Sequence, residues 1–115
     1  ATNPMYAQRC ASLIESVERH LGHEARTRRP VGGHHLWITF RQPIDERALL
    51  TEAVRCGTTF IPGGVMTAEP SGTTSIRLSY SRLDEPQLEE AVRRLAQAVR
   101  TVRARASRPG LAALS

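Results

Sequence analysis

A two-layer α+β domain, with helices at both chain ends packed on one face of a small, largely antiparallel sheet, follows from three observations. Apolar residues recur every three or four positions near each end of the chain, the spacing of a one-sided helix. Residues 34–40 and 75–81 alternate between apolar and polar side chains, the period of a half-buried strand. Glycine and proline punctuate the segments between, giving short elements in the order α-β-β-α-β-β-α. Each amphipathic element must bury its apolar side against another, so the helices collect on the apolar face of the sheet.

The first helix is expected from Pro4 to about Leu21, with Tyr6, Cys10, Leu13, Ile14, Val17 and Leu21 on one stripe. Asn3 can cap it, Pro4 suits the first helical position and Gly22 can stop it. Residues 25–29 read as a short strand. In residues 34–40, Leu36, Ile38 and Phe40 share one face, and Trp37 and Thr39 the other. Asp45 caps a second helix with the stripe Leu49, Leu50, Ala53 and Val54, and Gly57 ends it. Residues 58–61 are β-branched and aromatic, a strand closed by Pro62.

In residues 75–81, Ile76, Leu78 and Tyr80 share the helix-facing side, while Arg77, Ser79 and Ser81 face away. Asp84 opens the last helix, with Pro86 in its first turn and Gln87 three residues after the cap. Its stripe is Leu88, Val92, Leu95, Val99 and Val102. The domain is expected to occupy residues 1–106, and the Pro-, Gly-, Ala- and Ser-rich residues 107–115 a loose tail.

A chain of 115 residues makes one domain and buries somewhat over ~60% of its unfolded surface. It does not begin with methionine, so it is expected to be a piece of a longer protein. Cys10 and Cys56 have no metal-like spacing and read as reduced thiols in a cytoplasmic protein. No apolar run approaches the ~18 residues of a membrane span, and no signal-peptide pattern opens the chain.

The formal charge is +5, and every basic side chain other than histidine is arginine. A nucleic-acid footprint is a clustered basic stripe. Here the arginines are scattered, apart from Arg26, Arg28 and Arg29 and a helix-plus-tail set of Arg93, Arg94, Arg100, Arg103, Arg105 and Arg108. A stand-alone basic module for nucleic acid or an acidic protein is therefore the third reading of this chain.

Arg77 leads the candidate site residues. Its guanidinium is a planar, permanently charged fork that matches a carboxylate; the plainer alternative is a pair with a local Asp or Glu on a solvated face. Gly32 and Gly33, and Gly63 and Gly64 after Pro62, let backbone approach a ligand or another chain, or simply mark turns. Neither pair fits a nucleotide-binding fingerprint. His20 and His23 straddle Gly22, and adjacent His34 and His35 point to opposite faces. No three or four ligands converge as zinc requires, and no nucleophile motif is present.

Five segments in order carry a resemblance: residues 30–38 (PVGGHHLWI), a helix from Asp45 with Leu49 and Leu50, residues 57–63 (GTTFIPG), residues 76–81 (IRLSYS) and residues 88–96 (LEEAVRRLA). Together they resemble the carboxy-terminal small domain of fold-type-I, pyridoxal-phosphate-dependent aminotransferases of class I/II. The Gly-Gly-His-His-Leu-Trp version looks most like the aminotransferase-like domain of MocR-type regulators in the GntR superfamily. The resemblance implies a C-terminal fragment of a transcription regulator, or alternatively of a working aminotransferase. It implies that Arg77 binds the α-carboxylate of an amino-acid ligand and that Gly32 and Gly33 line the site. It also implies as partners a large cofactor-binding domain, a second protomer in a homodimer and, for a regulator, DNA through a separate amino-terminal domain. The family holds pyridoxal phosphate on a lysine of the large domain. This chain contains no lysine, so no cofactor is expected on it and no transamination by it alone. Gly64 and Met66 depart from the aromatic many members carry after the Pro-Gly turn.

Overall fold

The computed structural model describes residues 4–28, 35–62, 74–80 and 83–106, with backbone alone for residues 4–6. Its elements are α1 (Pro4–Leu21), β1 (Ala25–Arg28), β2 (His35–Phe40), α2 (Glu46–Cys56), β3 (Ile61–Pro62), β4 (Ser75–Ser79) and α3 (Glu85–Ala106). This is the expected α+β order. The four strands form one sheet in the order β1-β2-β4-β3, and every pairing is antiparallel.

Local chemistry sets the boundaries. Asp45 accepts from the amides of Arg47 and Ala48 at 3.0 and 3.1 Å, satisfying donors that α2 cannot. Gly57 ends α2 in the left-handed region, at φ 91°, which glycine enters without steric cost. Asp84 and Gln87 exchange side chain-to-amide bonds of 2.9 and 3.0 Å, the reciprocal capping box expected at the start of α3. The Asn3 cap and the 107–115 tail lie outside the described residues.

Alternate strand residues build the core. Leu36, Ile38 and Phe40 of β2 and Ile76 and Leu78 of β4 are buried, with Tyr80 just beyond, against Leu13, Val17 and Leu21 of α1. All five residues of the expected α3 stripe are buried, joined by Ala96 and Ala98. Helix α3 packs against both α1 and α2, which explains why its buried arc is wide.

Two expectations need correction. The buried arc of α2 is Leu49, Glu52 and Ala53, whereas Val54 is 60% exposed. The cause is a buried carboxylate: Glu52 Oε1 accepts from Arg105 of α3 at 2.6 Å and from Arg55 at 3.1 Å. That pairing goes with Glu52 turned inward and Val54 out. The bond from Arg105, first among the influences, holds the Glu52 carboxyl below its usual range although burial pushes it up. The strand expected at residues 58–61 is instead the two-residue β3, starting at Ile61.

The far end of α3 fastens the sheet edge. Arg103 donates to Glu24 Oε2 at 3.0 Å and to the carbonyls of Pro43 and Gln42 at 2.7 and 2.9 Å. Thr74 Oγ1 lies 3.2 and 3.1 Å from the amide nitrogen and carbonyl oxygen of Ile44, tying the approach to α2 onto β4.

Candidate functional site

Cross-strand register places one row of side chains on the face turned away from the helices. Arg28 pairs with Trp37, Trp37 with Arg77, and Arg77 with Ile61. Residues opposite each other in antiparallel strands share a face, so the row runs across all four strands. A second row brings Arg26, Thr39 and Ser75 together, with Thr39 Oγ1 and Ser75 Oγ 3.1 Å apart. No described helix covers this face: Arg26, Arg28, Ser79 and Ile61 are exposed, and Trp37 and Arg77 half-buried.

Arg77 sits in this row as the alternation requires. Its Cζ lies 5.4 Å from the Trp37 ring centroid, within cation–π range. No ion pair among the described residues includes it. The four strands contain no Asp or Glu, so among the described residues no strand carboxylate faces it. The Nε atom is buried and has no hydrogen-bond partner among the described residues, an uncommon state for a buried donor.

The other expected site residues divide. Gly32 and Gly33 lie outside the described residues, as do His34, Gly63 and Gly64; the flanking Arg28 and His35 end β1 and begin β2. His20 Nε2 is 3.6 Å from Glu89 Oε1, a contact between α1 and α3. No cluster of three or more His, Cys, Asp or Glu suited to a metal occurs among the described residues, and Cys10 and Cys56 are unlinked. No described helix is long and apolar enough to cross a membrane.

Sequence reasoning missed how the last-helix arginines are engaged. Arg93 and Arg94 both hold Glu90, at 2.6 and 2.9 Å, and their hydrogen bonds, Arg93 first, lower its carboxyl to about 2. Arg103 and Arg105 hold Glu24 and Glu52. With four of its arginines engaged by carboxylates, the helix offers less free positive charge than its sequence suggests, a weaker polyanion footprint. A periodicity argument has no access to such partners, because Arg105 meets Glu52 across 53 residues.

Comparison with known proteins agrees with this architecture. No family model matches the sequence. The 2-aminoadipate transaminase of Thermus thermophilus is 30% identical over 96 residues, covering 84% of this chain and 24% of the relative. The uncharacterised HTH-type transcriptional regulator YisV of Bacillus subtilis is 29% identical over 93 residues, covering 81% and 19%. Among solved structures, LysN, the α-aminoadipate aminotransferase of Thermus thermophilus complexed with N-(5'-phosphopyridoxyl)-L-leucine, superposes with a TM-score of 0.74 at 30% identity, over 87% of this chain and 26% of that one. The chain thus spans about a quarter, or less, of the length of the curated relatives it matches. Those relatives are aminotransferases and helix-turn-helix regulators, and the fold is an aminotransferase small-domain fold.

Proposed function

We propose that this chain is the carboxy-terminal small domain of a cytoplasmic, pyridoxal-phosphate-binding regulator of the GntR/MocR type, and that it contributes the arginine that binds an amino-acid carboxylate. The carboxylate role rests on Arg77, a guanidinium without an acidic partner among the described residues, set on Trp37 on a sheet face that no described helix covers; the regulator role rests on the likeness to YisV. A sheet bare on one side is a solvated or a docking surface, and a face with arginines and no strand carboxylate favours an anionic or polar neighbour. The large cofactor-binding domain is that neighbour in this reading, with Gly32 and Gly33 near the same ligand and a homodimer as the assembly.

The cofactor is not this chain's to anchor. Pyridoxal phosphate supplies an electron sink and is held as a Schiff base on a lysine, and none of the 115 residues is lysine. What the chain does is bind and orient: Arg77 fixes one end of an anionic ligand through paired N–H donors.

A second reading, a working aminotransferase, is favoured by the transaminase at 30% identity and by the LysN superposition. The protein from the complete reading frame separates the two. A regulator retards its own promoter DNA, with retardation altered by an amino acid, and turns over no amino donor; an enzyme does the reverse. In either, Arg77→Gln weakens amino-acid binding by about tenfold or more, as loss of a charge-assisted bond of ~1.5–3 kcal/mol implies. Unchanged binding in that variant removes the carboxylate role.

A further inference from the structure

The strand order leaves β1 at one edge of the sheet, and backbone parity tells which of its groups point outward. The Arg41 amide donates to the Glu24 carbonyl at 2.8 Å. Successive residues of a strand turn their backbone groups to opposite edges, so Arg26 and Arg28, in register with Thr39 and Trp37, turn theirs toward β2. The N–H and C=O groups of Ala25 and Thr27 therefore point away from the sheet. Among the described residues no strand pairs with this edge, and no backbone hydrogen bond of a loop or turn reaches Ala25 or Thr27.

The side chains above and below that edge differ. Arg26 and Arg28 stand exposed on the face without helices, and neither has an ion pair among the described residues. The strand holds no acid, and Glu24 just before it is already held by Arg103 at 3.0 Å. On the helix side Ala25 is buried and Thr27 half-buried, with α1 packed against the strand. An antiparallel newcomer would hydrogen-bond with Ala25 and Thr27 and meet Arg26 and Arg28 in the intervening pairs, where opposed side chains come closest.

We propose that the outer edge of β1 is a strand-addition site for an extended acidic segment of a partner protein. Its main chain bonds to Ala25 and Thr27, the mode of β-augmentation. Carboxylates at alternate positions stand opposite Arg26 and Arg28, and a β-branched residue between them stands opposite Thr27. The proposal uses neither Arg77 nor the amino-acid ligand, so it goes beyond the regulator reading. A second copy of the chain is the wrong occupant. Antiparallel pairing of β1 with itself sets arginine against arginine, and like charges directly opposite are destabilising. Charge on an edge strand guards against self-association; here the same charge that excludes a copy admits an acid.

The test uses the 115-residue chain at pH 7 and two capped peptides of equal length and charge. One alternates Glu-Val-Glu-Val-Glu-Val-Glu-Val; the other, Glu-Glu-Val-Val-Glu-Glu-Val-Val, never places acids two residues apart. The expected result is that the alternating peptide slows hydrogen exchange at the Ala25 and Thr27 amides and binds at least about threefold more tightly than the other. Arg26→Gln or Arg28→Gln weakens it roughly threefold, and both together roughly tenfold. Thr27→Pro removes an outward N–H without taking a donor from the β2 ladder, and abolishes the preference for the alternating peptide. The two-peptide comparison needs no variant. Equal binding of the two peptides, or shifts at Trp37 and Arg77 while Ala25 and Thr27 exchange as before, means simple attraction of anions to the face and overturns the proposal. No binding of the alternating peptide overturns it as well. Slower exchange at Ala25 and Thr27 on raising the protein concentration alone would make a second copy the occupant and overturn it too.

Discussion

The two faces of the β-sheet are built from the same strands yet follow opposite rules. On the helix side, Leu36, Ile38, Phe40, Ile76 and Leu78 exclude water almost completely. On the other side, Arg26, Arg28, Trp37, Thr39, Arg77 and Ser79 are left half-buried or exposed. The chain places its core in one set of alternate residues and leaves the other set uncovered by any described helix, so a one-residue slip of register would exchange them. Arg26, Arg28 and Arg77 can then stand on that face with no ion pair among the described residues, without disturbing the core beneath it.

The most direct way to break this contrast is a pair of truncations at adjacent positions of β2. Ile38→Ala should cost ~2–5 kcal/mol, the range for a large-to-alanine change in a closed core. Trp37→Ala should cost about 1 kcal/mol or less, its share of a cation–π contact on a half-open face. Urea denaturation of both variants measures the gap, and equal losses would mean that the second face is as closed as the first. Gly57→Ala, at the end of α2, should cost about 1 kcal/mol or somewhat more, because alanine resists positive φ. Its added Cβ would also stand 2.5 Å from Arg94 Nη1, so the bond from Arg94 to the Gly57 carbonyl should be lost.

Smaller effects sharpen the contrast. Asp84→Ala removes a cap from the helix that closes the covered side and should lower stability by ~1 kcal/mol in thermal unfolding. Acid acts on the same side. The folded value of Glu90, about 2, lies below its ordinary 4.5, and Glu52 is lowered as well. Their contributions are whole above the unfolded value and are lost as pH falls toward 2. The urea midpoint should therefore decline below about pH 4.5, and Glu52→Gln should flatten part of that decline. A midpoint level down to pH 2 would contradict the buried Glu52–Arg105 pair. Least of all, Arg77→Gln should shift stability by no more than ~0.5 kcal/mol, since the wild-type guanidinium holds no carboxylate among the described residues.

Much of the fold was legible because it is written in short-range chemistry. Strand alternation put Arg77 opposite Leu78, Asp45 and Gly57 bracket α2, and the Asp84–Gln87 box opens α3. What was illegible depends on contacts distant in sequence. The α2 pattern fits a Leu49-Leu50-Ala53-Val54 stripe as well as a Leu49-Glu52-Ala53 arc, and only Arg105 decides between them. Residues 58–60 have strand-forming side chains, yet pairing stops at Ile61 because the chain must turn back to α2. For the candidate site, the free charge of Arg77 was half legible: the alternation aimed it, but the absence of acids across four strands becomes meaningful only once their order is known.

The position of α3 carries a consequence for how this chain acquires its fold. It is the last of the described elements, it contacts both other described helices, and it delivers Val99, Val102, Arg103 and Arg105 to partners laid down much earlier in the sequence. Until about residue 106 has emerged from the ribosome, α1, α2 and the sheet lack the described helix that closes their shared apolar surface. Folding of this region is thus held back until α3 has been made, when contacts of high sequence separation form together. A nascent chain arrested before α3 should stay protease-sensitive and attractive to chaperones, and release of the final helix should convert it in one cooperative step.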